Sequence, residues 1–186
     1  LWFSDFYDHA VKTVDLDGRV ETKVVLDDQP SGLGWLPDGR MLIVAMHQRA
    51  VLRMEYDALV VHAELSGVAT FHCNDMLVDR IGRAYVGNFG FDLDAAITGG
   101  DFAGALAAYD GAALARVDPL GAVHTVAAGL RFPNGMVLTP DGGTLIVAES
   151  LGRRLTAFDV GIDGSLTNQR VWAELDATPD GICLDE

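Results

Sequence analysis

Ser31, Asn74, Asn134 and Asp180 are the residues whose types and spacing point to chemistry. Amide and carboxylate oxygens of this kind suit a hard divalent cation, with water completing the shell. Each of the four opens a similar phrase: Ser31-Gly32-Leu33, Asn74-Asp75-Met76, Asn134-Gly135-Met136 and Asp180-Gly181-Ile182. In the first three, the leader stands eight positions ahead of a turn glycine, Gly39, Gly82 or Gly142. Taken singly, Asn-Gly and Asp-Gly are turn formers more often than ligands. As a set they read differently. The leaders stand at the entry to apolar strands, while Asp38, Asp141 and Asp163 already occupy the hairpin tips.

The elements that must position them follow from the repeat. Successive leaders lie 43, 60 and 46 positions apart, and a repeat in the forties matches a four-stranded propeller blade. The longer step contains 91–111, rich in Gly, Ala and Asp, which reads as an insertion with one helical turn at 103–108. After each strand pair a third strand opens, at Val11, Leu114 or Leu155, alternates, and breaks at Asp, Gly or Pro. That is the pattern of half-buried antiparallel strands joined by hairpins. Fourth strands follow over 20–26, 123–127 and 170–174, and 1–5 matches the second strand of a unit. The sequence therefore predicts an all-β propeller, incomplete, with about three full four-stranded blades plus two partial ones. Residues 1–186 are expected to form one propeller domain truncated at both ends, from a parent of about six blades. Inner strands of a propeller line a central channel, so leaders on different blades are expected to converge there.

Composition narrows the partners. Net charge is −14, from 27 acidic and 13 basic residues, which excludes nucleic acid and anionic membrane surfaces as partners that need a positive face. Apolar residues make up 49%, enough for a core, and no run is long enough for a membrane helix. Cys73 and Cys183 form no disulfide framework, which fits a cytoplasmic location. No His or Cys pair has structural-zinc spacing, and no Gly-x-Ser-x-Gly elbow is present, so serine-hydrolase chemistry is not expected. Glu149 is expected at the pore or on the rim.

The stretch Phe71-His72-Cys73-Asn74-Asp75, with Asp79 and 82–88 after it, then Pro133-Asn134-Gly135 and Pro179-Asp180-Gly181-Ile182, resembles the senescence marker protein/gluconolactonase/luciferin-regenerating enzyme family. The resemblance covers essentially the whole chain. It implies a six-bladed propeller and a divalent-metal-dependent lactonase. By motif it implies that Asn134 and Asp180 bind the metal, that Asp180 is also the general base, and that Asn74 lies near substrate and metal. It further implies a metal-binding Glu ahead of Leu1. His72 stands where sugar lactonases of the family often carry Arg, and Asp92 stands where some members carry an acid for substrate hydroxyls. The expected function is gluconolactonase-like opening of a small-molecule lactone. Calcium is the leading metal, with zinc, magnesium or manganese as alternatives. A non-catalytic calcium-binding or partner-binding propeller is the competing expectation, and whether the chain is active without that Glu stays open.

Overall fold

The runs Met41-Leu42-Ile43-Val44-Ala45 and Leu145-Ile146-Val147-Ala148 are apolar on both faces. Such runs mark strands covered from two sides. The structure, a computed structural model, describes residues 1–185 and shows what covers them. Its strands form four antiparallel sheets. The first holds β1 (Trp2–Asp5), β2 (Ala10–Val14) and β3 (Val20–Val25). The second holds β4 (Pro30–Trp35), β5 (Met41–Ala45), β6 (Ala50–Glu55) and β7 (Ala58–Glu64). The third holds β8 (Cys73–Val78), β9 (Ala84–Asn88), β10 (Ala112–Val117) and β11 (Val123–Leu130). The fourth holds β12 (Pro133–Leu138), β13 (Thr144–Glu149), β14 (Arg154–Val160) and β15 (Leu166–Glu174). Strands lie in chain order within every sheet, and β1, β4, β8 and β12 pack in succession. This is the blade arrangement of a propeller.

Alternation along β5 divides the core. Met41, Ile43 and Ala45 face the first sheet with Val11 and Val24, while Leu42 and Val44 face the third with Met76 and Val86. Tyr85 points the other way from β9, into the cluster of Leu145, Val147 and Phe158. Period-two side chains thus fill both flanks of each second strand. Burial falls outward: β5 and β9 are buried throughout, whereas β3 and β15 are mostly exposed. Polar latches add to the packing between the last two sheets. Arg116 and Arg83 donate to the carbonyls of Asp163 and Ile162, and the Tyr85 hydroxyl donates to that of Gly164.

The insertion holds two short helices, α1 (Leu93–Thr98) and α2 (Phe102–Ala107). Only the second was expected. Each has an aspartate N-cap, Asp92 accepting from the Ala95 N–H and Asp101 from the Gly104 N–H, and that is the signal for α1. Among the described residues no helix is long and apolar enough to cross a membrane.

Candidate active site

The strands β4, β8 and β12 carry an irregularity at the same place. Pairing with the second strand slips between Pro30 and Leu33, between Cys73 and Met76, and between Pro133 and Met136. The residues inside the slips are Ser31-Gly32, Asn74-Asp75 and Asn134-Gly135. Each leader therefore sits in a bulge, a device that frees a side chain from the ladder and re-aims it.

The bulges let the leaders meet. The Ser31 hydroxyl donates to Asn74 Oδ1 at 3.3 Å, and Asn74 Nδ2 donates to Asn134 Oδ1 at 3.0 Å. Asn134 Nδ2 donates to the Ser150 hydroxyl at 3.0 Å, and that hydroxyl donates to the Pro179 carbonyl at 2.7 Å. All four polar side chains are buried. Every donor in the line points the same way, from the second sheet toward Asp180, so each bond polarises the next. The line leaves Asn134 Oδ1 with a second lone pair for another partner. Ser150, which closes the line, is a member that the repeat did not disclose. It follows β13, outside the leader phrase.

Asp180 arrives through backbone packing. Its carbonyl accepts from the Gly135 N–H at 3.2 Å. A Cβ on Gly135 would stand 2.7 Å from that carbonyl oxygen and 2.6 Å from the Ile182 nitrogen. Only glycine admits the 180–182 segment here. Gly32 does the same for the Asp75-Met76 backbone, where a Cβ would meet the Met76 nitrogen at 2.4 Å. The phrase at Asp180 forms no ladder among the described residues and runs beside β12.

Asp75 occupies the position that is glycine in the other three phrases. A lone carboxylate in a glycine register is the signal that the sequence carries for it. Burial pushes its pKa up to about 6, and the charge of Asp180 adds to the rise. Among the described residues neither carboxylate has a hydrogen-bonded or ion-paired partner, and no three His, Cys, Asp or Glu side chains converge. Two uncompensated carboxylates beside amide oxygens form a hard, anionic donor set. That set fits a divalent cation held by oxygen ligands.

The shift gives stability a sign. A folded-state value near 6, against an ordinary 3.8, means that the folded chain holds a proton the unfolded chain releases. The contribution is full below about pH 4 and is lost as pH rises through about 6. With chelator present, Asp75→Asn should match the parent near pH 4. Above pH 7 it should be more stable by about 1–2 kcal/mol, a value discounted for partial solvent screening. Urea unfolding at the two pH values measures this; a difference that does not change with pH would contradict it.

The remaining sequence candidates divide. His72 stands half-buried two residues before Asn74. Burial, then the neighbouring His47, lowers its affinity for a proton, against the pull of Asp94, Asp92 and Asp28. Asp92 caps α1 through Oδ1 and bears on the site through its charge at His72. Glu149 lines neither pore nor rim. It is fully buried and bonded to Arg154, Thr156 and the Arg131 N–H. Burial pushes the Cys73 thiol up to about 12, which leaves it an inert packing residue. A cleft of about 1010 Å³ opens between the first two sheets near Trp2, Trp35 and Tyr56, and none of the leaders lines it.

The sequence matches the family described as SMP-30/Gluconolactonase/LRE-like region over residues 1–186. A search of curated proteins finds no match. Similar solved structures include a gluconolactonase from Xanthomonas campestris, with TM-score 0.76 and 24% identity, covering 100% of this chain and 62% of that one. A luciferin-regenerating enzyme aligns with TM-score 0.72 and 16% identity over 91% of this chain and 55% of that one. Regucalcin from Agrobacterium tumefaciens, a calcium-binding protein, aligns with TM-score 0.69 and 20% identity over 95% and 55%. At these identities the likeness speaks for the fold. This chain spans 62% of the length of the gluconolactonase.

Proposed function

The chain belongs to the SMP-30/gluconolactonase/LRE-like family, and from that membership we propose that it hydrolyses lactones with a divalent cation, calcium first. The observation that supports this reading is the line from Asn74 through Asn134 and Ser150 to the Pro179 carbonyl, next to Asp180 in the chain, together with the Asp75 and Asp180 carboxylates, which have no partner among the described residues. Asn134 Oδ1 and the Asp180 carboxylate are the residues that would hold the cation. When bound, it supplies Lewis-acid polarisation of the lactone carbonyl and lowers the pKa of adjacent water.

The chain's own residues supply the rest. The hydrogen-bonded line fixes the two amides, so their oxygens need no reordering when substrate arrives. Asn74 and His72 face the substrate. Asp180 takes a proton from water as the water oxygen bonds to the acyl carbon. The bond from acyl carbon to ring oxygen then breaks, the ring oxygen recovers the proton, and a hydroxy acid leaves.

A pH-stat assay over γ-, δ- and aldonolactones tests the reading. Acid release is expected with calcium, zinc, magnesium or manganese supplied, to stop with chelator, and to return when metal is restored. No turnover of any lactone with any of these metals would favour the non-catalytic calcium- or partner-binding propeller.

A further inference from the structure

Five rings form one contact strip at the end of the sheets where the leaders lie. His47 stands edge-on to His72, with centroids 4.2 Å apart, and Phe71 stacks on His72 at 4.1 Å. His72 meets Phe89 at 5.9 Å, and Phe89 stacks on Phe132 at 4.6 Å. They come from three sheets: His47 follows β5, Phe71 and His72 precede β8, Phe89 follows β9, and Phe132 precedes β12. His72 and Phe132 each stand two residues ahead of a leader, Asn74 and Asn134. Backbone bonds tie the loops together, from the Cys73 N–H to the Met46 carbonyl and from the Phe89 N–H to that of His72.

The strip is held in place rather than merely collapsed. Asp28, 3% exposed, accepts from the N–H groups of Gln29, His47 and Gln48 and from His47 Nδ1 at 2.8 Å. Phe132 adopts φ 65°, a conformation that disfavours a bulky side chain, and the Tyr109 hydroxyl accepts from its N–H. Phe71, His72 and Phe89 stay half-buried. A cleft of about 750 Å³ opens under the insertion; Thr70 and Gly90, the chain neighbours of Phe71 and Phe89, line its edge, and the five rings lie outside it. That volume suits a small ligand.

We propose that this strip is the wall for an apolar arm of the substrate, so that the chain's substrates are lactones bearing an aromatic or alkyl substituent rather than polyhydroxylated sugar lactones. The inference rests on the lactonase reading and deepens it. Ring hydroxyls pressed on the phenyl faces of Phe71, Phe89 and Phe132 would lose water without replacement. Several nearby polar groups are engaged: Arg131 donates to the Tyr109 carbonyl and covers its ring, Thr70 donates to the Gly90 carbonyl, and Asp28 lies under its own N–H donors, which leaves the His47 and His72 imidazoles as the polar edges of the strip. Flat apolar faces instead reward a flat apolar arm.

The test compares δ-valerolactone, its δ-phenyl derivative and glucono-δ-lactone by kcat/KM. The matching lactams, which resist opening, are titrated by calorimetry in parallel. The phenyl compounds should lead the unsubstituted ones by at least about tenfold in both readouts, with the sugar compounds last. Phe71→Ala and Phe89→Ala should erase the lead, read as the ratio of the phenyl compound to δ-valerolactone within each variant, while Phe89→Leu keeps part of it. A phenyl lactam that binds no better than valerolactam, or a lead untouched by both alanine variants, overturns the proposal. If no lactone is opened but the phenyl lactam binds through Phe71 and Phe89, the wall stands and the lactonase reading falls.

Discussion

Asp180→Asn is expected to lower lactone hydrolysis by at least about a thousandfold while leaving the fold intact. The two halves of this expectation have separate grounds. Asp180 is exposed, and among the described residues its carboxylate bonds to nothing. Removing its charge therefore changes stability by no more than about 0.5 kcal/mol. What holds the segment is its backbone, through Gly135 and the 2.7 Å bond from Ser150 to the Pro179 carbonyl. Neither contact involves the Asp180 side chain. The proposed site, in contrast, loses its charged ligand and its proton acceptor in one substitution. Matched unfolding curves with kcat/KM for the preferred lactone decide the point. Retained turnover would place the base elsewhere, and a collapsed fold would mean that the side chain is structural.

Glu149→Ala is expected to have the opposite profile, with a loss of about 3–5 kcal/mol in stability. Glu149 is fully buried, and its two oxygens accept from Arg154 Nε at 2.8 Å, Arg154 Nη2 at 3.1 Å, the Arg131 N–H at 2.6 Å and the Thr156 hydroxyl. Arg154 is partly exposed, at 29%, and can turn to water once released. The Arg131 N–H and the buried Thr156 hydroxyl cannot, and each orphaned donor costs about 1–3 kcal/mol. The damage would also spread to the insertion, because Arg131 donates at 2.6 Å to the Tyr109 carbonyl. For a chain of this size the melting temperature should fall by roughly 10 °C. A fall of under about 2 °C would show that the cluster is dispensable.

The fold was legible because the repeat carries it. Apolar second strands, Asp-Gly tips and leaders in fixed register are all local signals, and local signals set strand and hairpin positions. Convergence of Ser31, Asn74 and Asn134 followed from one geometric premise, that equivalent residues of stacked blades face a common axis. The bulges that free them have no mark of their own in Pro30-Ser31-Gly32 or Pro133-Asn134-Gly135, because a slip in pairing depends on the partner strand. Asp75 escaped because one acidic residue among 27 says little until its register shows glycine in the sister units. The ring strip could not be read at all. His47, His72, Phe89 and Phe132 meet only because three loops end on the same face of neighbouring sheets. Glu149 ends a strand that the repeat puts on the channel side, hence the expectation of pore or rim; Arg154, Thr156 and the Arg131 N–H make it an interior anchor instead.

Asn134 and Asp180 are proposed to form a cation site together. Calorimetric titration of the metal-stripped chain with calcium tests it without any assumption about substrate. One binding site is predicted, weakened strongly by Asp180→Asn and by Asn134→Ala, and tightening as pH rises through about 6 with the Asp75 carboxyl ionising beside it. Calcium binding unchanged by both substitutions, or no binding at any pH between 5 and 8, would contradict it.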